Sequence, residues 1–298
     1  MRLGFALPQF GRLGARPGAV TEFAREAEAL GADSLWVGDR LMAAVRPAIG
    51  YAGTDTMPVQ FRSPMDPFAV LAAAAAVTER VLLGTSVLNA PFYPPATLAR
   101  SLASIDVLSG GRLVPGFGLG WSPEEFEAVG VPMKQRGARL DECLDVLDSL
   151  WSQDIAEHHG EHWDIAAIHS GLKPVQRPRL PVYLGGYAPA ALRRLARRAD
   201  GWLPAAVVPG KFPADRIKQA LAGIRAEAER LGRDPGEIDV ILRINGTASA
   251  TTAQLADAVV EASEQAGIDH SFVDLMYMTE DTGQALDFAA QVIDRARS

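Results

Sequence analysis

A few short stretches hold residue types that could do chemistry. Gly116-Phe117-Gly118-Leu119-Gly120-Trp121 leaves an apolar run as nearly bare backbone, open to close approach by a flat ligand. Gly185-Gly186-Tyr187 runs into Pro189 and a helical pattern. The first N–H groups of such a helix, with its dipole, suit an anion. Gly38-Asp39-Arg40 sets a carboxylate beside a guanidinium, and Arg243 is a further candidate for holding an anion. Arg193, Arg194, Arg197 and Arg198 crowd one helix, either as a solvated face or as an anion attractor.

Other chemistries lack their residues. Glu157-His158-His159-Gly160-Glu161-His162 is not His-Glu-x-x-His, and Gly160 breaks a helix, so a solvated hairpin is expected there and no metal. No Gly-x-Ser-x-Gly elbow exists for a serine hydrolase. The single Cys143 excludes an intrachain disulfide and makes a cytoplasmic location the default. It falls inside an apolar helical stripe and reads as a buried structural thiol, not a nucleophile.

These residues need a scaffold, and the chain offers a repeating one. Its 298 residues, 48% hydrophobic and 22% charged, suit a globular enzyme with a large core. A net charge of −7 argues against a nucleic-acid partner. No apolar run reaches the roughly 20 residues that span a bilayer, so no membrane partner is expected. Strand patterns fall at 3–7, 34–37, 81–88, 112–117, 181–184, 201–203, 237–243 and 270–275. Helical patterns follow them at 19–30, 66–78, 97–108, 137–151, 189–199, 214–231, 252–266 and 284–296.

This alternation predicts an α/β fold, a (β/α)8 TIM barrel in one domain, 1–298. An open doubly wound sheet would want Gly-x-Gly-x-x-Gly after the first strand, where Pro8-Gln9-Phe10-Gly11 stands. Two insertions interrupt the repeat, at about 41–64 and 152–180. At least one is expected to form a rim of the active site, with Met42, Tyr51, Met57 and Phe61 as a partly apolar wall. In such a barrel the chemistry sits at the carboxyl ends of the strands, which is where the stretches above fall.

Several of these pieces, in this order and spacing, resemble the bacterial luciferase-like superfamily of flavin and deazaflavin enzymes. They are LGFALPQFG, SLWVGDR, LLGTSVL, SGGRLVPGFGLGW and PVYLGGYAPAALRRLARRADGWLP, with EEFEAVGVPMKQRGARLDECLDVLDSLW between the last two. LLGTSVL with its surroundings looks most like the branch dependent on coenzyme F420. The resemblance implies a tricyclic cofactor across the barrel mouth and a cis peptide at Ser86-Val87. It implies Asn89 at the ring's polar edge, close approach along Gly118 and Gly120 with Trp121 flanking, and the cofactor phosphate at Gly185, Gly186 and Tyr187. The arginine run on the fifth helix would then meet F420's anionic tail, if it is not a solvated face. Many relatives read Asp-His where this chain has Asp39-Arg40. An imidazole donor is therefore missing, and Asp39 and Arg40 are the catalytic candidates, with a structural ion pair between them as the alternative.

The expected function is an F420-dependent oxidoreductase that transfers hydride between the deazaflavin C5 and a small organic substrate. One alternative is a two-component monooxygenase using reduced FMN and oxygen, fed by a partner flavin reductase. Another is a flavin-binding protein without turnover. The resemblance also implies a homodimer.

Overall fold

The computed structural model describes residues 1–298, apart from the surroundings of Gly53. Strands one and two are Arg2–Ala6 and Ser34–Val37. Strand three is Leu82–Thr85, resumed at Leu88–Asn89, and strand four is Leu113–Val114, resumed at Gly116–Gly118. Strand five is Tyr183–Gly185, and strand six is Gly201–Leu203, resumed at Ala205–Val208. Strand seven is Asp239–Val240, resumed at Leu242–Gly246, and strand eight is His270–Asp274. Each pairs in parallel with the next, as in Leu35↔Leu83, Leu88↔Phe117, Phe117↔Leu184 and Trp202↔Val240. Strand eight returns to strand one through Gly4↔Phe272, so the ring closes.

The interruptions have local causes. Pro115 and Pro204 carry no N–H and break strands four and six. Their carbonyls still accept from Tyr183 N at 3.0 Å and Arg243 N at 2.9 Å, which carries the ladder across the gap. The run 81–88, expected as one strand, is instead split at Ser86-Val87, whose peptide is cis, as the resemblance implied. Strand seven starts later than expected, because Pro235–Glu237 forms a 3₁₀ turn, and it runs on to Gly246.

Trp36 lies flat against Phe272 inside the ring, with centroids 4.5 Å apart, and packs with Val114, Tyr183, Leu203 and Ile241. Gly84 admits that indole, since a Cβ there would sit 2.3 Å from it. The indole N–H donates to Ser34 Oγ, which contacts His270 Nε2, both at 2.8 Å. Burial pushes His270 down to about 3, so this imidazole is neutral.

The outer helices follow the expected stripes. Arg136–Ser152 buries Leu140, Cys143, Leu144, Leu147, Leu150 and Trp151. Burial alone pushes the Cys143 thiol up to about 12, which removes it as a nucleophile at neutral pH. Thr252–Ala266 starts on a capping box between Thr251 and Gln254 and ends on Gly267 in the left-handed region.

The insertion at 152–180 is more regular than expected. Ile155–His159 and Asp164–His169 form an antiparallel hairpin, clipped to the preceding helix by Glu142, which accepts from His162 N and Trp163 N. His158 faces Glu142 and His159 faces Asp164. Among the described residues, no helix is long and apolar enough to cross a membrane.

Candidate active site

The carboxyl ends of the strands surround a cavity of about 450 Å³. Asp39, Arg40, Ser86, Val87, Asn89, Gly118, Gly120, Trp121, Gly185, Gly186 and Tyr187 all line it. From the 41–64 insertion come Tyr51 and Phe61, whereas no residue of 152–180 lines it. Only the first insertion therefore builds the rim. Phe61 meets Phe10 and Tyr51 at ring centroids of 5.7 and 5.0 Å, and Tyr51 reaches Trp121 at 5.9 Å. Met57 is buried behind this aromatic nest, and Met42 points outward.

The glycines serve packing as well as access. A Cβ on Gly118 would lie 2.4 Å from Val87 Cγ2, and one on Gly185 would lie 3.1 Å from Val87 Cγ1. The Val87 side chain thus beds between strands four and five, and Ser86 and Val87 both line the cavity. Gly186, at φ +116°, turns the chain into the helix Pro189–Arg198. Its carbonyl accepts from Trp202 Nε1 at 3.1 Å, which fixes that turn.

Asp39 is held from two sides. Asn89 N donates to Oδ2 at 2.7 Å and the Tyr93 hydroxyl to Oδ1 at 3.0 Å. Burial pushes this carboxyl up to about 6, partly offset by those two donors. Burial and the nearby Asp39 also push the Tyr93 phenol up, so it stays a donor. Asn89 Nδ2 is already given to Asp39 O at 3.2 Å, which leaves its Oδ1 for a ligand edge.

Arg40 does not pair with Asp39. Its Nη2 lies 2.7 Å from Glu125 Oε2, and its Cζ sits 4.5 Å from the Trp121 ring centre and 5.1 Å from that of Phe61. Burial lowers its pKa, while Glu125 and Asp39 oppose that shift. Arg243 is likewise committed, with Nη1 donating to Ser86 O at 2.9 Å and Nη2 to Asp274 Oδ2 at 2.6 Å. It steadies the Ser86-Val87 turn.

The arginine run splits. Arg194 forks onto Asp141 at 2.6 and 2.8 Å and Arg198 pairs with Asp145, so both tie neighbouring helices together. Of the four, only Arg193 and Arg197 stay exposed, so a solvated face or an anion attractor is left to those two. A different cation, Arg216, covers the Tyr187 ring at 4.3 Å. Sequence reasoning did not single out Tyr93, Glu125 or Arg216 for the site. Their partners lie 54 residues away for Tyr93 and more than 80 for Glu125, with no local signal to link them.

The family model for luciferase-like monooxygenases matches residues 1–295. The chain belongs to the luciferase-like monooxygenase family. As a member of this family it is an enzyme of the oxidoreductase class. It is 35% identical over 232 residues to an uncharacterized protein of Mycobacterium tuberculosis, covering 75% of this chain and 78% of that one. It is 31% identical over 232 residues to the F420-dependent glucose-6-phosphate dehydrogenase of Kineococcus radiotolerans, covering 76% of this chain and 63% of that one. Its fold matches the crystal structure of the monooxygenase RslO1 from Streptomyces bottropensis at a TM-score of 0.79 and 21% identity, over the whole of both chains.

Proposed function

We propose that this luciferase-like protein is an F420-dependent oxidoreductase that moves a hydride to or from a small organic substrate. The observation that carries the reading is the cavity: the residues expected to touch a tricyclic cofactor line one space, whose volume falls in the range of ligand pockets. Val87 is seated between Gly118 and Gly185, where a Cβ at Gly118 would displace it, and all three residues line the space a flat ring would occupy. The named activity of the Kineococcus relative favours the deazaflavin over FMN. F420, when bound, supplies the hydride donor or acceptor at its C5.

The chain's own residues supply the rest. Gly185, Gly186 and the helix behind them offer backbone N–H groups to a phosphate. Tyr51, Phe61 and Trp121 form an apolar wall that keeps water from the reacting atoms. Asp39, held near neutrality by burial, takes or returns the proton that accompanies hydride transfer when an alcohol and a carbonyl interconvert. Arg40 is a fixed cationic wall, because Glu125 and two aromatic rings already occupy it.

The test is anaerobic hydride exchange between F420 and a panel of alcohols and carbonyl compounds, run beside oxygen uptake with reduced FMN. Exchange with F420 and no FMN-driven uptake is the expected result. Uptake with FMN and no exchange would move the chain to the two-component monooxygenases, and binding without any turnover would make it a carrier.

A further inference from the structure

The first insertion is held over the cavity by two carboxylates from a distant part of the chain. Helix Pro123–Ala128 carries Glu124 and Glu125 in its first turn. Glu125 Oε1 accepts from Leu41 N at 2.7 Å and Met42 N at 3.3 Å, while its Oε2 faces Arg40. Glu124 Oε1 accepts from Ala48 N at 2.6 Å, and its Oε2 accepts from the Ser122 hydroxyl at 2.7 Å. The Glu125 side chain is 0% exposed and that of Arg40 is 6% exposed. A carboxylate this dry stays charged only with such partners, so it is not a casual surface contact.

The chain from 41 to 48 therefore starts from the carboxylates, and the aromatic wall of Tyr51 and Phe61 starts from that chain. The outer face of this insertion has no such support. Leu41, Met42, Val45 and Ile49 stand in solvent, so apolar burial does little to hold the first half of the loop. Its far end is tied by the Phe10↔Pro64 bridge and by the Phe61 nest. The two carboxylates are the attachment of the near end.

We propose that Glu125 is a positioning residue, with Glu124 as its auxiliary, and that the pair latches the 41–64 wall onto the barrel mouth and sets how far solvent reaches a bound cofactor ring. Glu125 does not touch the reacting atoms. It acts through Arg40, which it presses between Trp121 and Phe61, and through the backbone of Leu41 and Met42. The cofactor part of this proposal rests on the reading of the cavity given above, whereas the latch itself does not.

Two readouts on the full chain separate those parts. The first is amide hydrogen exchange in wild type, Glu124→Ala and Glu125→Gln. The latch requires about tenfold or faster exchange at Ala48 in Glu124→Ala, which removes the acceptor, and at Leu41 and Met42 in Glu125→Gln, with the barrel strands still protected. Glu124→Ala keeps the buried Arg40 pair and so stays folded, which preserves the test if Glu125→Gln does not fold. Unchanged exchange at 41–48 would overturn the latch. A uniform rise across all strands would reduce Glu125 to a general stability residue, and so would also overturn it.

The second readout is acrylamide quenching of F420 fluorescence in the bound state, or of FMN fluorescence should FMN be what binds. Several-fold stronger quenching in Glu125→Gln at nearly unchanged affinity is expected, with Glu125→Asp partly restoring protection. Equal quenching in all variants would refute the solvent-gating part. If neither ring binds wild type, the cofactor reading and the gating part fail together, and hydrogen exchange alone still decides the latch.

Discussion

The two ends of the barrel use charge differently. At the amino ends of the strands, charged side chains close backbone. Glu28 accepts from Glu79 N, Arg80 N and Val81 N, and Arg112 donates to the carbonyls of Thr78, Val81 and Ser109 at 2.7–2.8 Å. Asp106 accepts from Val175 N and Gln176 N, which pins the end of the second insertion. At the carboxyl ends, charge is paired but left incomplete. Among the described residues, the buried Arg, Asp and Glu atoms without a hydrogen-bond partner belong to Arg40, Glu125 and Arg243, all at the mouth. One end spends its polar groups on holding loops, and the other keeps them poised beside a cavity, as barrels divide stability from chemistry.

If that division is right, substitutions at the two ends should fail in different ways. The largest effect is expected from Asp39→Asn, which removes the proton-holding group. Hydride transfer should fall about 10²- to 10⁴-fold while cofactor affinity changes little, as read by turnover beside titration. The pH dependence carries a sign. An acid raised from 3.8 to about 6 in the folded state stabilises the fold below about 3.8, and that contribution is lost as pH rises through about 6. Wild type should therefore lose stability across this window relative to Asp39→Asn, and the inflection of its rate near pH 6 should vanish in the variant. A rate profile of the same shape in both proteins would remove Asp39 from the chemistry.

Arg112→Ala should act in the opposite sense. It strands several carbonyls and is expected to cost about 3 kcal/mol, seen as a lower denaturant midpoint, while the folded fraction binds cofactor as before. A loss of affinity without a loss of stability would blur the two ends. Gly118→Ala sits between these cases. Its Cβ would collide with Val87, so that side chain must shift, at a cost of about 1–3 kcal/mol, and cofactor affinity should drop tenfold or more. The smallest effect belongs to Cys143. Its buried thiol, pushed up to about 12, should resist thiol reagents in the native protein and react only on unfolding.

Much of the fold was legible because local rules and global fold agree. Thr252–Ala266 and Ser34–Val37 fall on the expected residues, since a capping box with Gly267 bounds one and Gly38 follows the other. The solvated hairpin expected at 157–162 is present, but its strands extend to Ile155 and His169, which the sequence did not mark because Ile155–His159 buries only Ala156. At the site, strand ends and glycines were readable as places. Their reasons were less so. Gly118 reads from sequence as room for a ligand, and the structure shows that it is first room for Val87. Arg40 beside Asp39 reads as a pair, but the strand end directs Arg40 to Glu125 and leaves Asp39 to Asn89 and Tyr93. Contacts between residues far apart in the chain leave no periodic trace.

The most direct test of the central claim, that the glycine-bedded mouth is a deazaflavin site, is a parallel fluorescence titration of wild type and Gly118→Ala with F420 and with FMN. Micromolar or tighter F420 binding by wild type, weaker FMN binding, and loss of the F420 affinity in Gly118→Ala is the predicted result. Tighter binding of FMN, or F420 binding indifferent to Gly118→Ala, would contradict it.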